Sequence, residues 1–193
     1  AQRLIEPALR LAEPVQVVCR EASPEQLVDG LSRHVFDLLI TDAPLGAEVK
    51  VRAHSHLLGD SGVTFVAEAA LARQARGRFP ASLDRQPMLL PTENMAIRGG
   101  LDQWFEANGV RPRVVGEFED GELLREFGTA GCGVFVVPTM VEQPLVRQYR
   151  LKALGRSEAV RARVYGISPE RRGRAPGRRG RVRGGAPATA GGI

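Results

Sequence analysis

The chain has little with which to cross-link itself, stack on a base or cross a membrane. Its two cysteines, Cys19 and Cys132, lie more than a hundred positions apart and form no C-x-x-C pair, which argues against a disulfide framework and a structural zinc site. Aromatic residues make up 5% of the sequence. The longest apolar runs, such as Leu38-Leu39-Ile40 and Val134-Phe135-Val136-Val137, fall far short of the ~20 residues a membrane span requires. No charged and then apolar leader opens the sequence, so a cytoplasmic protein with no membrane partner is expected.

What is present suits one soluble domain or two small ones: 193 residues, 43% of them hydrophobic, enough for a sizeable core. The net charge of +5 is unevenly spread. No acid occurs from Arg171 to Ile193, whereas seven arginines fall between Arg171 and Arg183. Without those seven, positions 1–170 carry 20 basic and 22 acidic residues, a net of −2. Residues 173–193 consist of Gly, Arg, Ala, Pro, Val, Thr and one Ile, a composition that predicts a disordered tail. Such a tail is an arginine-rich arm for nucleic-acid phosphates, the product of a shifted reading frame in a GC-rich gene, or a plain solvated tail. With no aromatic residue interleaved for base stacking, the second reading is preferred.

The body alternates short helices and strands. Leu4 to Leu11 has a helical apolar face, and Val15-Gln16-Val17-Val18-Cys19 reads as a β-branched strand. Ser23-Pro24-Glu25-Gln26 supplies an N-cap serine, a proline at the first helical position and a glutamine at N3; Leu27, Leu31 and Val35 share one face of the helix it starts. Leu38-Leu39-Ile40 then reads as a buried strand ending at Thr41-Asp42. The rhythm returns with strand Met88 to Leu90, a helix from Asn94 to Asn108 closed by Gly109, strand Val114 to Phe118, helix Gly121 to Phe127 and strand Val134 to Val137. This alternation predicts parallel sheets in an α/β fold of two similar halves, joined by extended segments near Val63–Val66 and Val164–Ile167.

Catalytic chemistry finds little support. Thr129-Ala130-Gly131-Cys132-Gly133 lacks the glycines a nucleophile elbow needs at 130 and 134, and Gly128, Gly131 and Gly133 are wrongly ordered for a dinucleotide loop. His54 and His56 would share one face of a strand, yet no third metal ligand accompanies them in sequence. No enzyme activity and no cofactor are expected. More informative are the loops after strands, because ligands of open α/β sheets bind at strand C-terminal ends and helix N-termini. Three such loops combine proline with hydroxyl or carboxylate groups: Thr41-Asp42-Ala43-Pro44, Pro91-Thr92-Glu93-Asn94-Met95 and Pro138-Thr139-Met140.

The order and spacing of Glu21 to Leu27, Asp37-Leu38-Leu39-Ile40-Thr41-Asp42-Ala43-Pro44, Trp104-Phe105, Val115-Gly116-Glu117-Phe118-Glu119-Asp120 and Gly133 to Pro138 resemble the effector-binding domain of LysR-type transcriptional regulators. Within that family the likeness is greatest to activators of sodium/proton antiporter genes, and Tyr165 to Arg171 extends it, so it covers about residues 1–172. The resemblance implies a type 2 periplasmic-binding-protein-like fold of two Rossmann-like subdomains around a cleft. Residues 1–63 with 164–172 would form subdomain I, and 64–163 subdomain II. Against the family pattern the chain begins inside the first helix of subdomain I and its last helix gives way to the tail, so the fold is expected to be incomplete at both ends.

In the family, DNA is bound by an N-terminal winged helix-turn-helix, here missing, in homodimers or homotetramers. The effector-binding positions implied are Thr41, Asp42, Thr92, Glu93, Asn94, Arg98, Pro138 and Thr139. The effector would be a small molecule or a monovalent cation, Na+ or Li+, held weakly by Asp42 and Glu93 with threonine hydroxyls, and not a resident metal. A solute-binding protein of the same fold is the alternative.

Overall fold

The computed structural model describes residues 5–13, 15–46 and 51–170; the Gly/Arg-rich segment 173–193 lies outside them. A 3-10 turn at Glu6–Arg10 opens the described chain. Ser23 Oγ then accepts from the Gln26 amide, and Gln26 Oε1 accepts from the Ser23 amide, a reciprocal cap that satisfies two of the free amides at the start of helix α1 (Pro24–Ser32). The helix is shorter than its apolar spacing predicts. His34 turns the chain with φ of 57°, leaving Val35 58% exposed, and Phe36 folds back so closely over Gly30 that a Cβ there would lie 2.3 Å from its ring.

Six strands follow: β1 (Leu39–Thr41), β2 (Ala53–Glu68), β3 (Pro87–Pro91), β4 (Arg113–Phe118), β5 (Phe135–Pro138) and β6 (Leu151–Pro169). The helices between them are α2 (Ala69–Ala72), α3 (Ala96–Ala107), α4 (Gly121–Thr129) and α5 (Glu142–Tyr149). Parallel pairing holds where expected, between β3 and β4 and in the bridge from Met88 to Val134. It fails for the main sheet, whose order β1-β6-β2-β5 is antiparallel throughout. The reason is that the two expected connectors are parts of two long strands running in opposite directions. β2 and β6 pair from Ala53 opposite Pro169 to Glu68 opposite Leu151, and each serves both halves of the molecule.

Alternation of side chains sorts the larger core onto two faces. Val63, Phe65, Ala67, Met88, Leu90 and Val134 pack with Leu101, Trp104 and Phe105 of α3. Val66, Leu89, Phe135 and Val137 pack with Leu124 of α4 and with Leu145 and Val146 of α5. A third, smaller core joins Leu31, Leu39 and Ile167. The chain thus has two lobes, one around each group of cores, with β2 and β6 running through both. Val15–Cys19, expected as a strand, carries no regular secondary structure and belongs to no ladder, and Val15, Val17 and Val18 are 38 to 66% exposed. Its β-branched residues favour a pleated surface, but no strand among the described residues pairs with it.

Candidate effector site

Strand direction brings the three loops toward one place. In β1, Thr41 stands opposite Tyr165, which in turn faces Leu57 of β2; β5 ends with Pro138 opposite Val63 of β2. The registers make the C-terminal ends of β1 and β5 point at each other from opposite ends of the β2–β6 ladder. The interval from Leu57 to Val63 is about 20 Å of strand. β3, parallel to β4 and bridged in parallel to Val134, delivers Thr92-Glu93-Asn94 at the same end as Pro138. Met140, after β5, lies over β2, its Cε 3.1 Å from where a Cβ of Gly59 would stand.

The side chains separate into three groups. Across the gap, Asp42 Oδ2 accepts from the Ala96 amide at 3.1 Å, at the N-terminus of α3. Thr41 Oγ1 turns inward and donates to the Ala43 carbonyl at 2.6 Å. In the second group, Thr92 Oγ1 donates to Asn94 Oδ1 at 2.5 Å, and Asn94 Nδ2 donates to Glu119 Oε1 at 2.6 Å. The Thr92 amide donates to the Phe118 carbonyl, so this loop is anchored to the end of β4. Glu93 and Asn94 are exposed. Arg98 is engaged: its guanidinium donates to the Pro91 carbonyl, Glu117 and Asp102. Burial alone would lower its pKa, but the Glu117 and Asp102 carboxylates outweigh this and raise it.

The third group was not legible in the sequence. Thr64, wholly buried in β2, donates to Glu142 Oε2 at 2.8 Å. Arg156 donates to both oxygens of Glu142, at 2.6 and 2.8 Å. The Arg156 hydrogen bonds hold the Glu142 carboxyl below its usual range, against the opposing effect of burial and with help from Thr64. Thr64 lies 3.1 Å from Thr139 Oγ1. Since the single hydroxyl proton of Thr64 goes to Glu142, Thr139 is the donor in that contact and keeps its oxygen lone pairs for a ligand. One signal could have been noticed: Thr64 is the lone polar residue in Val63-Thr64-Phe65-Val66. Nothing in the sequence marks Glu142 as buried.

Other features are elsewhere. A depression of about 550 Å³ lined by His34, Asp37, His54 and Ser168 lies outside the cleft, at the far end of the β2–β6 ladder. Among the described residues no three metal-ligating side chains converge, and His54 and His56 stand 6.2 Å apart between ring centroids. Cys132 is exposed after Gly131, whose φ of 84° ends α4. No helix among the described residues is long and apolar enough to cross a membrane.

Two lobes of mixed α/β structure on paired crossover strands, with strand ends facing a cleft, define a periplasmic-binding-protein-like regulatory domain. Residues 2–180 match the LysR substrate binding domain, and the chain belongs to that family. It is 29% identical over 175 residues to transcriptional activator protein NhaR of Escherichia coli (strain K12), and the protein of that name from Shigella flexneri matches equally. The match covers 89% of this chain and 57% of each relative, so the chain spans little more than half their length. Among solved structures, the apo regulatory domain of HypT from Salmonella typhimurium aligns with a TM-score of 0.67 at 14% identity, covering 90% of this chain and 83% of that one. The effector binding domain of QuiR in complex with shikimate aligns at 0.56 and 16% identity, covering 80% and 72%. These likenesses carry the fold.

Proposed function

We propose that the chain is the ligand-sensing part of a DNA-binding regulator and that its effector is a monovalent cation, Na+ or Li+, received in the cleft. Residues 1–63 with 164–172 form one subdomain and 64–163 the other. Thr41, Asp42, Thr92, Glu93, Asn94, Pro138 and Thr139 line the cleft, and Arg98 braces the loop before α3. The observation that carries this reading is Asp42, a carboxylate set at the mouth of the cleft against the loop that bears Glu93. Carboxylate, hydroxyl and amide oxygens are the ligands a hard cation takes, and the likeness to NhaR, an activator, agrees with a regulatory role. The longer protein would bind DNA through a winged helix-turn-helix as a homodimer or homotetramer, the effector acting by favouring one arrangement of the lobes.

Thermal-shift titration with LiCl, NaCl and KCl at matched ionic strength tests it. At ten times its Kd a cation adds about 1.4 kcal/mol, or roughly 3–6 °C for a domain of this size. A rise specific to Li+ or Na+ and lost in Asp42→Ala and Glu93→Ala is expected. An equal response to all three salts would refute the cation and direct the search to organic acids, for which the α3 amides are suited.

A further inference from the structure

Three helices take a side-chain cap from their own N-cap residue: Ser23 caps α1, Glu68 caps α2 and Asp120 caps α4. α3 has twelve residues and no such cap, since its N-cap is Met95. Its cap is Asp42, 54 positions upstream. The two partners rest on separate cores. Asp42 follows β1, whose Leu39 packs with Leu31 and Ile167, whereas α3 packs Leu101, Trp104 and Phe105 against Phe65's neighbours. Among the described residues the remaining long-range side-chain bonds lie within one lobe or on the β2–β6 ladder, as Asp60 does with Arg161 and Arg163.

We propose that the hydrogen bond from Ala96 to Asp42 is a latch that holds the two lobes closed across the cleft, and that a cation ligated by Asp42 releases it. The second half rests on the cation reading; the first does not. A carboxylate at a helix N-terminus is held by a free amide and by the helix dipole. The Ala96 amide takes only one of the two carboxylate oxygens, and a cation that draws both oxygens to itself competes with the amide and the helix dipole for the same charge, so such ligation weakens the cap. The closed arrangement is then the state without effector.

Cys132 is exposed after α4, and Asp29→Cys in a Cys19→Ser background puts a second label on α1, whose Leu31 packs with Leu39 and Ile167, so the two label sites lie on opposite lobes. Spin labels on both, in the full chain, report the interlobe distance by pulsed electron resonance, and site-resolved amide exchange reports Ala96. Loss of a cap shifts the closed-to-open ratio about fivefold. Asp42→Ala should populate a longer distance and speed Ala96 exchange by a similar factor, and Asp42→Asn, which keeps an acceptor without charge, should fall between. Unchanged distances and unchanged Ala96 exchange in both variants, with native circular dichroism, would overturn the latch. NaCl, compared with KCl, should move the wild type toward the Asp42→Ala distribution. Opening by Asp42→Ala without any response to Na+ overturns release by cation and supports the latch alone. A response to Na+ with no effect of either substitution overturns the latch and leaves the cation reading intact.

Discussion

Glu142→Gln removes one charge with almost no change of volume, and the structure fixes both the size and the pH dependence of the effect. Three hydrogen bonds converge on the carboxylate, two from Arg156 and one from Thr64. The Arg156 side chain is 59% exposed, so water can replace Glu142 as its partner and those bonds count for little in the balance. Thr64 is wholly buried and exchanges a charged acceptor for a neutral one, while the new amide turns two donors toward a guanidinium. Hydrogen bonds to charged groups contribute about 1.5–3 kcal/mol and neutral ones about half that. A loss of about 1.5 kcal/mol near neutral pH follows, or roughly 3–6 °C in Tm.

The pH dependence supplies the stricter check. The Glu142 carboxyl is held below its ordinary 4.5 in the folded chain, chiefly by Arg156. A folded-state pKa below the unfolded one stabilises fully above the unfolded value and loses that stabilisation as pH falls through the folded value. The stability difference between wild type and Glu142→Gln should therefore be constant above the carboxylate range and shrink as pH falls below 4.5. Urea unfolding followed by fluorescence of Trp104, the single tryptophan, measures it. A difference that stays constant through the acid range would refute the reasoning, as would Thr64→Val proving costlier than Glu142→Gln together with loss of the Arg156 contact.

Phe65, wholly buried and 4.8 Å from the Trp104 ring centroid, should cost about 3–5 kcal/mol as Phe65→Ala, with a red shift of tryptophan emission as water reaches the ring. Gly128→Ala places a Cβ 2.3 Å from the Phe135 ring and should lower the urea midpoint by an amount equal to about 1–3 kcal/mol. Gly99→Ala, in α3 with nothing within 4 Å of the added atom, should do the reverse and stabilise by about 0.5–1 kcal/mol.

Features set by local chemistry were legible in the sequence. The Ser23-Pro24-Gln26 cap, the left-handed Gly109 after α3 (φ 63°) and the run Val134 to Val137 all stand near where side-chain type and spacing put them. What depends on pairing partners was not. Gly155, Arg156 and Ser157 carry no apolar alternation, yet they lie in β6 because β2 supplies their partners Phe65, Thr64 and Val63. Val15–Cys19 is the converse, a strand by composition that finds no ladder. In the cleft, the polar loops could be picked out as types of group, but Asp42 meeting Ala96 and Thr139 meeting Thr64 are contacts over 54 and 75 positions, beyond any local pattern. Arg98 illustrates the same limit: the family resemblance put it among the effector-binding positions, and three protein oxygen groups already surround it.

A latch of one hydrogen bond can govern the cleft only if the connection between the lobes yields at a similar energy. The β2–β6 ladder has that character in its middle. Its register slips between Leu57 and Gly59 and again between Ser61 and Val63, and each irregularity removes ladder bonds and adds local twist. Between the two slips, Asp60 accepts from Arg161 at 2.8 Å and from Arg163 at 3.4 Å, partly exposed contacts that hold the strands together without fixing their twist. The proposed latch requires the lobes to rotate about residues 57–63 while the flanking ladder stays paired. Against a compliant joint, one helix cap worth about 1 kcal/mol is enough to bias the arrangement. If the effector is the proposed monovalent cation, at ten times its Kd it brings about 1.4 kcal/mol, enough to reverse that bias. A latch with several ion pairs across the cleft would not yield to so weak a ligand, and Arg98, in the first turn of Asp42's partner helix, is committed to Glu117 and Asp102 on its own side.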